Sequence, residues 1–453
     1  MGADVRKEAL TLLSKLEQDR HTTLDQLLDA RREVDRHVSR RDRALRQALV
    51  FGVLRARNRL DWVVRHFSRT PFRKIDPIIK NILRLGIYQL LYMDRIPASA
   101  AVNTAVELAK DGAAPWTVKF VNGLLRSVAR NPAAVRFPKM ASDPVQAISI
   151  RKSLPKWIVA RWLTRWGAEE CSRLCAALNA VPPLSVRTNT LKTTRTDLIT
   201  ALKTVADQVT PTPHTPEGIS VHGLQTDLAA IPEFATGNFQ VQDEAAQLIS
   251  HCLALQPGQR VLDACAGLGG KTGHIAQLIE NNGEIIATDT VGRKLAALEK
   301  EMQRLGISSV KTVRHDWTHA PDSALLGTFD RVLLDAPCSG LGVLQRNPDT
   351  RWQRVEQDLK RFARRQQVLI NNLAPLVKPG GFLVYAVCSM EPEENDRVVQ
   401  YFLNHNKQFT QVAIPMEAVH KPAALTGTDR CFRSFPHRHA MDGFFAVSLQ
   451  RRI

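Results

Sequence analysis

Apolar residues recur every three or four positions through the first 130 residues, as in Leu45, Leu49, Val50 and Val53, and again in Ile79, Ile82, Leu83 and Ile87. That spacing lays an apolar stripe along an α-helix. Few Gly or Pro interrupt it, and Pro71, Pro77 and Pro97 fall where helices could begin or end. An all-helical domain is expected over residues 1–135. The stretch from Asn131 to Asp143, carrying Pro132 and Pro138 and followed by Pro144, reads as a linker. Residues 136–238 mix patterns. Trp157 to Leu178 has a helical period, Leu184 to Asn189 reads as a strand leaving a Pro-Pro turn, and residues 196–206 return to helix. A small α+β module is expected there.

From about residue 240 the texture changes again. A helix over Asp243 to Leu253 leads into Arg260-Val-Leu-Asp-Ala, a short apolar strand. Four more strands alternate with helical segments: Ile285-Ile-Ala-Thr-Asp, Val310-Lys-Thr-Val, Arg331-Val-Leu-Leu-Asp and Phe382-Leu-Val-Tyr-Ala. Strands separated by helices predict an α/β domain with a parallel, doubly wound sheet over residues 239–453. Such sheets bind ligands beyond the carboxyl ends of their strands.

Charge adds a partner class. The chain has 62 Lys and Arg against 44 Asp and Glu, a net charge of +18, and residues 1–130 alone hold 25 against 14. Arg31, Arg32, Arg40, Arg41, Arg43, Arg46, Arg55, Arg57 and Arg59 suggest basic helix faces that attract nucleic acid through its phosphates. No apolar run is long enough for a membrane span. The start, Met-Gly-Ala-Asp-Val-Arg, has neither a secretory core nor the Ser or Thr of a myristoylation site, since Arg6 stands there. Seven cysteines, with no CxxC pair and no Cys/His zinc spacing, argue against a disulfide scaffold or a metal site. A reducing cytoplasm and a monomer are the expectation.

The first strand of the α/β region runs into Asp263-Ala-Cys-Ala-Gly-Leu-Gly-Gly-Lys-Thr272. A Gly-rich turn between strand and helix lets a ligand approach the backbone. Cys265 occupies the position of the first glycine of a P-loop, and Thr272 that of the third glycine of GxGxxG, so neither phosphate-binding motif fits. Asp289, at the end of the next strand, can hold ribose hydroxyls. An adenosine cofactor without pyrophosphate, S-adenosylmethionine, satisfies both observations.

Two further strands end in Asp335-Ala-Pro-Cys-Ser-Gly340 and Ala386-Val-Cys-Ser-Met390. Thiols and a carboxylate beside a methyl donor suit methylation of cytosine at carbon 5, where a thiolate first adds to carbon 6. On chemistry alone, either Cys338 or Cys388 could be the attacker.

These motifs resemble the bacterial Sun/Fmu family of RNA 5-methylcytosine methyltransferases. Arg43-Ala-Leu, Phe51-Gly-Val-Leu-Arg, Leu60-Asp-Trp, Gly86-Ile-Tyr-Gln-Leu-Leu-Tyr and Val121-Asn-Gly-Leu-Leu-Arg resemble the RNA-binding fold of the antitermination factor NusB. Arg187-Thr-Asn and Gln242-Asp-Glu244 are similar to the family's middle region. Asn347-Pro-Asp-Thr-Arg-Trp, Glu391-Pro-Glu-Glu-Asn and Met441-Asp-Gly-Phe-Phe are similar to its catalytic domain. The resemblance implies a NusB-like domain, a small α+β RNA-binding module and a Rossmann-like methyltransferase domain. It implies small-subunit ribosomal RNA, free or in early assembly, as substrate.

By the same resemblance Cys388 is the nucleophile and Cys338 assists product release. Asp335 contacts cytosine and cofactor. The loop Cys265, Ala266, Gly267, Leu268, Gly269, Gly270 and Lys271 wraps the cofactor, with Asp289 on its ribose and Asp316 on its adenine side. Gly267-Leu268 stand where the family has Ala-Pro, and Val387 where Thr is common. A non-catalytic RNA-binding assembly factor and a transfer-RNA methyltransferase are the alternatives. Cys171 and Cys175, at helical spacing, are expected in a core, and His437 and His439 in a surface turn. Lys271 is expected either near the substrate base or as a cap on its loop.

Overall fold

The computed structural model describes residues 5–111, 115–321, 323, 327–414, 419–420 and 422–453. Residues 1–4, read above for export signals, and the Arg32 side chain lie outside the described residues. The chain divides into two compact units: residues 1–180 with 344–355, and residues 181–343 with 356–453.

The first unit is helical. Its long helices span Val5–Gln18, Arg40–Phe67, Pro77–Tyr92, Ala98–Lys110 and Pro115–Arg130. Asp76 caps Pro77–Tyr92 by accepting from the Ile78 amide at 2.8 Å, and Pro77 sits where no intrahelical donor is needed. The apolar stripes meet in one core that includes Leu49, Val53, Ile82, Leu83, Ile87 and Val121. Helices Pro144–Arg151 and Lys156–Ala177 also belong to this unit, with Cys171 and Cys175 buried.

The expected arginine faces need a correction. Arg46 is buried between Glu8 and Asp35, Arg57 pairs with Glu17 at 2.5 Å, and Arg31 pairs with Glu8 at 2.9 Å. Arg55 and Arg59 lie over Phe51 and Phe137. Acidic residues at distant positions neutralise arginines that helical spacing alone places outside. Arg40 and Arg41 remain exposed.

Residues 344–355, far along the sequence, pack with these helices. Trp352 Nε1 donates to the Leu54 carbonyl at 2.8 Å, and Asp349 accepts from the Leu24 amide at 2.9 Å. Arg351 is fully buried and donates to the carbonyls of Leu178 and Leu344, each at 3.0 Å.

The second unit holds two sheets. Strands β1 (Leu184–Thr188), β2 (Ala206–Pro211), β3 (Gly218–Leu224) and β4 (Phe239–Val241) form an antiparallel sheet in the order β2-β3-β1-β4. The helix expected over 196–206 spans Arg195–Leu202, and Ala206 already begins β2. The larger sheet contains β5 (Arg260–Asp263), β6 (Glu284–Asp289), β7 (Val310–Arg314), β8 (Phe329–Asp335), β9 (Val377–Val387), β10 (Phe409–Val412), β11 (Phe432–Arg433) and β12 (Phe445–Arg451). Its order is β10-β12-β9-β8-β5-β6-β7, with β11 paired to β12.

Strands β5 to β9 are parallel, as the alternating pattern predicts. The sheet as a whole is mixed, because β12 runs antiparallel to both β9 and β10. Chain order reverses between β5 and β8, the point at which open parallel sheets form a ligand crevice.

Candidate active site

The carboxyl ends of β5, β6, β8 and β9 surround one cavity of about 400 Å³. Its lining includes Cys265, Gly267, Asp289, Asp316, Asp335 and Cys338, together with Cys388. Asp289, Asp316, Asp335, Cys338 and Cys388 therefore meet at this edge. The loop residues divide, and Ala266, Leu268, Gly269, Gly270 and Lys271 are not part of the lining. Cys265 and Gly267 face the cavity, Leu268 is 58% exposed, and Gly269 backs onto Leu298. Lys271 turns to Asp335, with Nζ 2.6 Å from Oδ2.

The loop is tied at several points despite lacking the Ala-Pro pair. Gly267 takes a left-handed backbone, φ +58°, with open space where a side chain would point. Its amide donates to Asp289 Oδ2 at 3.2 Å. Ala266 N donates to the Thr288 carbonyl at 2.8 Å, and Gly269 N to the Ala266 carbonyl at 2.9 Å. Thr272 Oγ1 donates to Asp263 Oδ2 at 2.7 Å, below the loop. Burial, reinforced by Asp335 nearby, pushes the Asp263 carboxyl up to about 6 against the Thr272 hydrogen bond.

Lys271 brings a positive charge to Asp335, while Lys294 and Arg365 line the cavity itself. Burial works against its ammonium, but the Asp335 carboxylate, with Cys388 and Asp263 beyond it, holds it above the ordinary lysine value. Lys271 also lies over the Phe444 ring, 5.2 Å from its centre.

Cys388 follows β9 and Cys338 follows the loop leaving β8; both are half-buried, and their Sγ atoms are 3.1 Å apart. The hydrogen bond with Cys388, and then burial, push the Cys338 thiol well above the usual range. The two sulfur atoms lie within hydrogen-bonding distance of each other. Burial also raises the Cys265 thiol, which keeps it an inert wall of the cavity.

A buried carboxylate that the sequence reading did not single out braces both cysteines. Glu394 accepts from Ser339 N at 2.8 Å, Ser339 Oγ at 2.5 Å, Ser389 Oγ at 2.6 Å and Gln366 Nε2 at 3.1 Å. Each serine directly follows one of the cysteines, so the repeated Cys-Ser pair was the signal available. Burial raises the Glu394 carboxyl against these hydrogen bonds.

Behind the thiols, Gly342 N donates to the Cys388 carbonyl at 3.0 Å and Gly443 N to the Gly342 carbonyl at 2.9 Å. A Cβ on Gly342 would stand 1.8 Å from the Gly443 carbonyl oxygen, so glycine is required there. This contact explains the Met441-Asp-Gly-Phe-Phe segment: it closes the back of the Cys388 turn.

The donor set fits S-adenosylmethionine. Asp289 and Asp316 can accept from ribose and adenine, and Trp317 offers an aromatic wall. Three carboxylates suit a sulfonium cation, and the loop offers no phosphate cradle. The volume falls in the roughly 300–1,000 Å³ range of small-molecule pockets.

Comparison with known proteins agrees with this chemistry. Residues 250–450 match the family described as 16S rRNA methyltransferase RsmB/F, residues 3–130 the NusB family, and residues 154–225 the RsmF/B-like ferredoxin-like domain. The chain is 37% identical over 412 residues to a probable ribosomal RNA small subunit methyltransferase B of Synechocystis, covering 90% of this chain and 91% of that one. It is 32% identical over 448 residues to the protein of the same description in Bacillus subtilis, covering 99% of each. Among solved structures, a methyltransferase homolog from Pyrococcus horikoshii aligns with a TM-score of 0.58 at 28% identity, covering 68% of this chain and 99% of that one.

Proposed function

The chain belongs to the RsmB/F family of 16S rRNA methyltransferases, and we propose that it methylates carbon 5 of a cytosine in that RNA, with Cys388 as the nucleophile. It is an S-adenosylmethionine-dependent RNA methyltransferase. The division into residues 1–135, 136–238 and 239–453 is part of the same reading, and the three family matches fall inside those ranges.

The observation that carries the assignment is the unequal thiol pair. Carbon 5 of cytosine is a weak nucleophile until a thiolate adds to carbon 6. Cys388 as thiolate forms the bond to carbon 6, and the ring electrons move toward nitrogen 3 and carbon 5. Asp335 and Lys271 hold the ring edge where negative charge develops, with the ammonium stabilising it. S-adenosylmethionine, when bound, supplies the electrophilic methyl group to carbon 5. The carbon 5 proton then leaves to a base beside Cys338. The carbon–sulfur bond breaks and Cys388 departs as thiolate. The Cys338 S–H favours the anionic sulfur at both ends of this cycle.

The N-terminal helices supply phosphate contacts that orient the RNA without reading its sequence. Turning the cytosine out of its stack costs a few kcal/mol. RNA that is free or in early assembly leaves the base within reach, and one chain carries the whole site, so a monomer suffices. Among the described residues no helix is long and apolar enough to cross a membrane. A cytoplasmic setting keeps both thiols reduced.

The test is nucleoside analysis of 16S ribosomal RNA after incubation with the purified chain and labelled S-adenosylmethionine. Label is expected in 5-methylcytidine. Label in another nucleoside overturns the assignment.

A further inference from the structure

The small sheet and the helix that starts at Gly270 meet around three buried polar side chains. Glu217 lies in the turn before β3, and its backbone carbonyl accepts from the Thr188 amide at 3.0 Å and the Thr188 hydroxyl at 2.8 Å. His251 closes helix Glu244–His251, and His274 lies inside helix Gly270–Leu278. All three are buried, and their donor atoms lie within 4.8 Å of one another. His251 Nε2 is 3.2 Å from Glu217 Oε2, and His274 Nε2 is 3.8 Å from Glu217 Oε1. The two imidazoles meet edge to face, 5.1 Å between centres.

His274 is the telling residue. It is fully buried, yet neither ring nitrogen has a hydrogen-bond partner among the described residues. An orphaned buried imidazole is costly and calls for a partner. Imidazole nitrogen is a common transition-metal ligand. In a tetrahedral zinc site with bonds of about 2.0–2.1 Å, neighbouring ligand atoms stand roughly 3.3–3.4 Å apart. The two Glu217–histidine separations bracket that spacing.

We propose that Glu217, His251 and His274 bind a divalent transition-metal ion, zinc by the chemistry of its ligands. The site is separate from the cavity at the strand ends, whose lining contains none of the three. The ion crosslinks the β1–β4 sheet to the helix that carries Lys271 at its start, and so acts as a structural staple behind the cofactor loop. Arg187 donates to Gln240, Gln242, Gln277 and the Gly270 carbonyl, all neutral acceptors, so its own charge opposes the ion. The carboxylate of Glu217 therefore carries most of the affinity. Residues 217, 251 and 274 lie too far apart in sequence to form a recognisable ligand motif, so the expectation of no metal had nothing local to contradict it.

The experiment uses the untagged full chain, stripped with a chelator and titrated with cobalt(II), then with zinc. A tetrahedral cobalt spectrum is expected in the visible, without the sulfur charge-transfer band that binding at Cys338 and Cys388 would add. Zinc should displace cobalt and raise the unfolding temperature. Glu217→Gln and His251→Ala should abolish the spectrum while circular dichroism stays unchanged. Should these variants fail to fold, the wild-type titration decides. No visible cobalt band and no zinc-dependent thermal shift in wild type would overturn the site, as would a spectrum dominated by sulfur ligation.

Discussion

Cys338 and Cys388 bring their sulfur atoms to 3.1 Å although 50 residues separate them. Strands β8 and β9 are parallel neighbours with Asp335 opposite Ala386, so the two turns that follow end together. Glu394 then fixes both turns through the serines after each cysteine. The pair is a consequence of register, and its asymmetry, with the Cys338 thiol pushed up, comes first from the hydrogen bond with Cys388 and then from burial.

That asymmetry predicts the phenotype of Cys338→Ala. The departing Cys388 sulfur loses its donor, so the covalent protein–RNA adduct should outlive turnover. A denaturing gel should show RNA bound to the variant and not to wild type. Absence of the adduct in a folded variant counts against the release role.

Glu394→Gln should separate positioning from binding. The amide nitrogen of Gln cannot accept from Ser339 or Ser389, and a buried donor left bare costs roughly 1–3 kcal/mol. Unfolding temperature and kcat should both fall, while the S-adenosylmethionine dissociation constant stays unchanged. Wild-type kcat in this variant contradicts the bracing role.

Arg351→Met should loosen the helical unit. The substitution keeps most of the volume but bares the carbonyls of Leu178 and Leu344 and the Asn179 side chain. Each buried acceptor without a partner costs roughly 1–3 kcal/mol. Urea unfolding should show a less stable helical unit, with cofactor affinity unchanged. An unshifted transition would show that residues 344–355 do not stabilise those helices.

Asp263 makes stability pH-dependent. Its folded value of about 6 lies above the 3.8 of the unfolded chain, so the folded state holds the proton more tightly. Stability from this group is full below about pH 4 and is lost as pH rises toward 6, by up to about 3 kcal/mol. Asp263→Asn should remove that component. The difference in unfolding free energy between variant and wild type should grow from pH 4 to pH 6.5 in favour of the variant. A difference independent of pH contradicts the buried, raised carboxyl.

Much of the catalytic unit was legible because each parallel strand is a short apolar run ending in a reactive residue. Asp263, Asp289, Asp335 and Cys388 all stand at or just beyond strand ends, so the sheet rule alone collects them. Strands β10 and β12 were not read, since antiparallel additions at a sheet edge leave no helix-alternating pattern. Arg46 was misjudged because an arginine looks exposed until the distant groups that satisfy it are known. Glu394 and the Glu217–histidine cluster likewise depend on contacts across many residues. Which cysteine attacks also exceeded the sequence chemistry, because both thiols follow neighbouring strand ends.

The most direct test of the central claim is covalent trapping. An RNA substrate carrying 5-fluorocytosine at the target lacks the carbon 5 proton, so the attacking sulfur cannot be expelled after methyl transfer. Digestion of the trapped complex and peptide mass spectrometry should place the nucleotide on Cys388, and Cys388→Ala should give no adduct while still binding S-adenosylmethionine. A nucleotide on Cys338, or turnover by Cys388→Ala, would contradict the account.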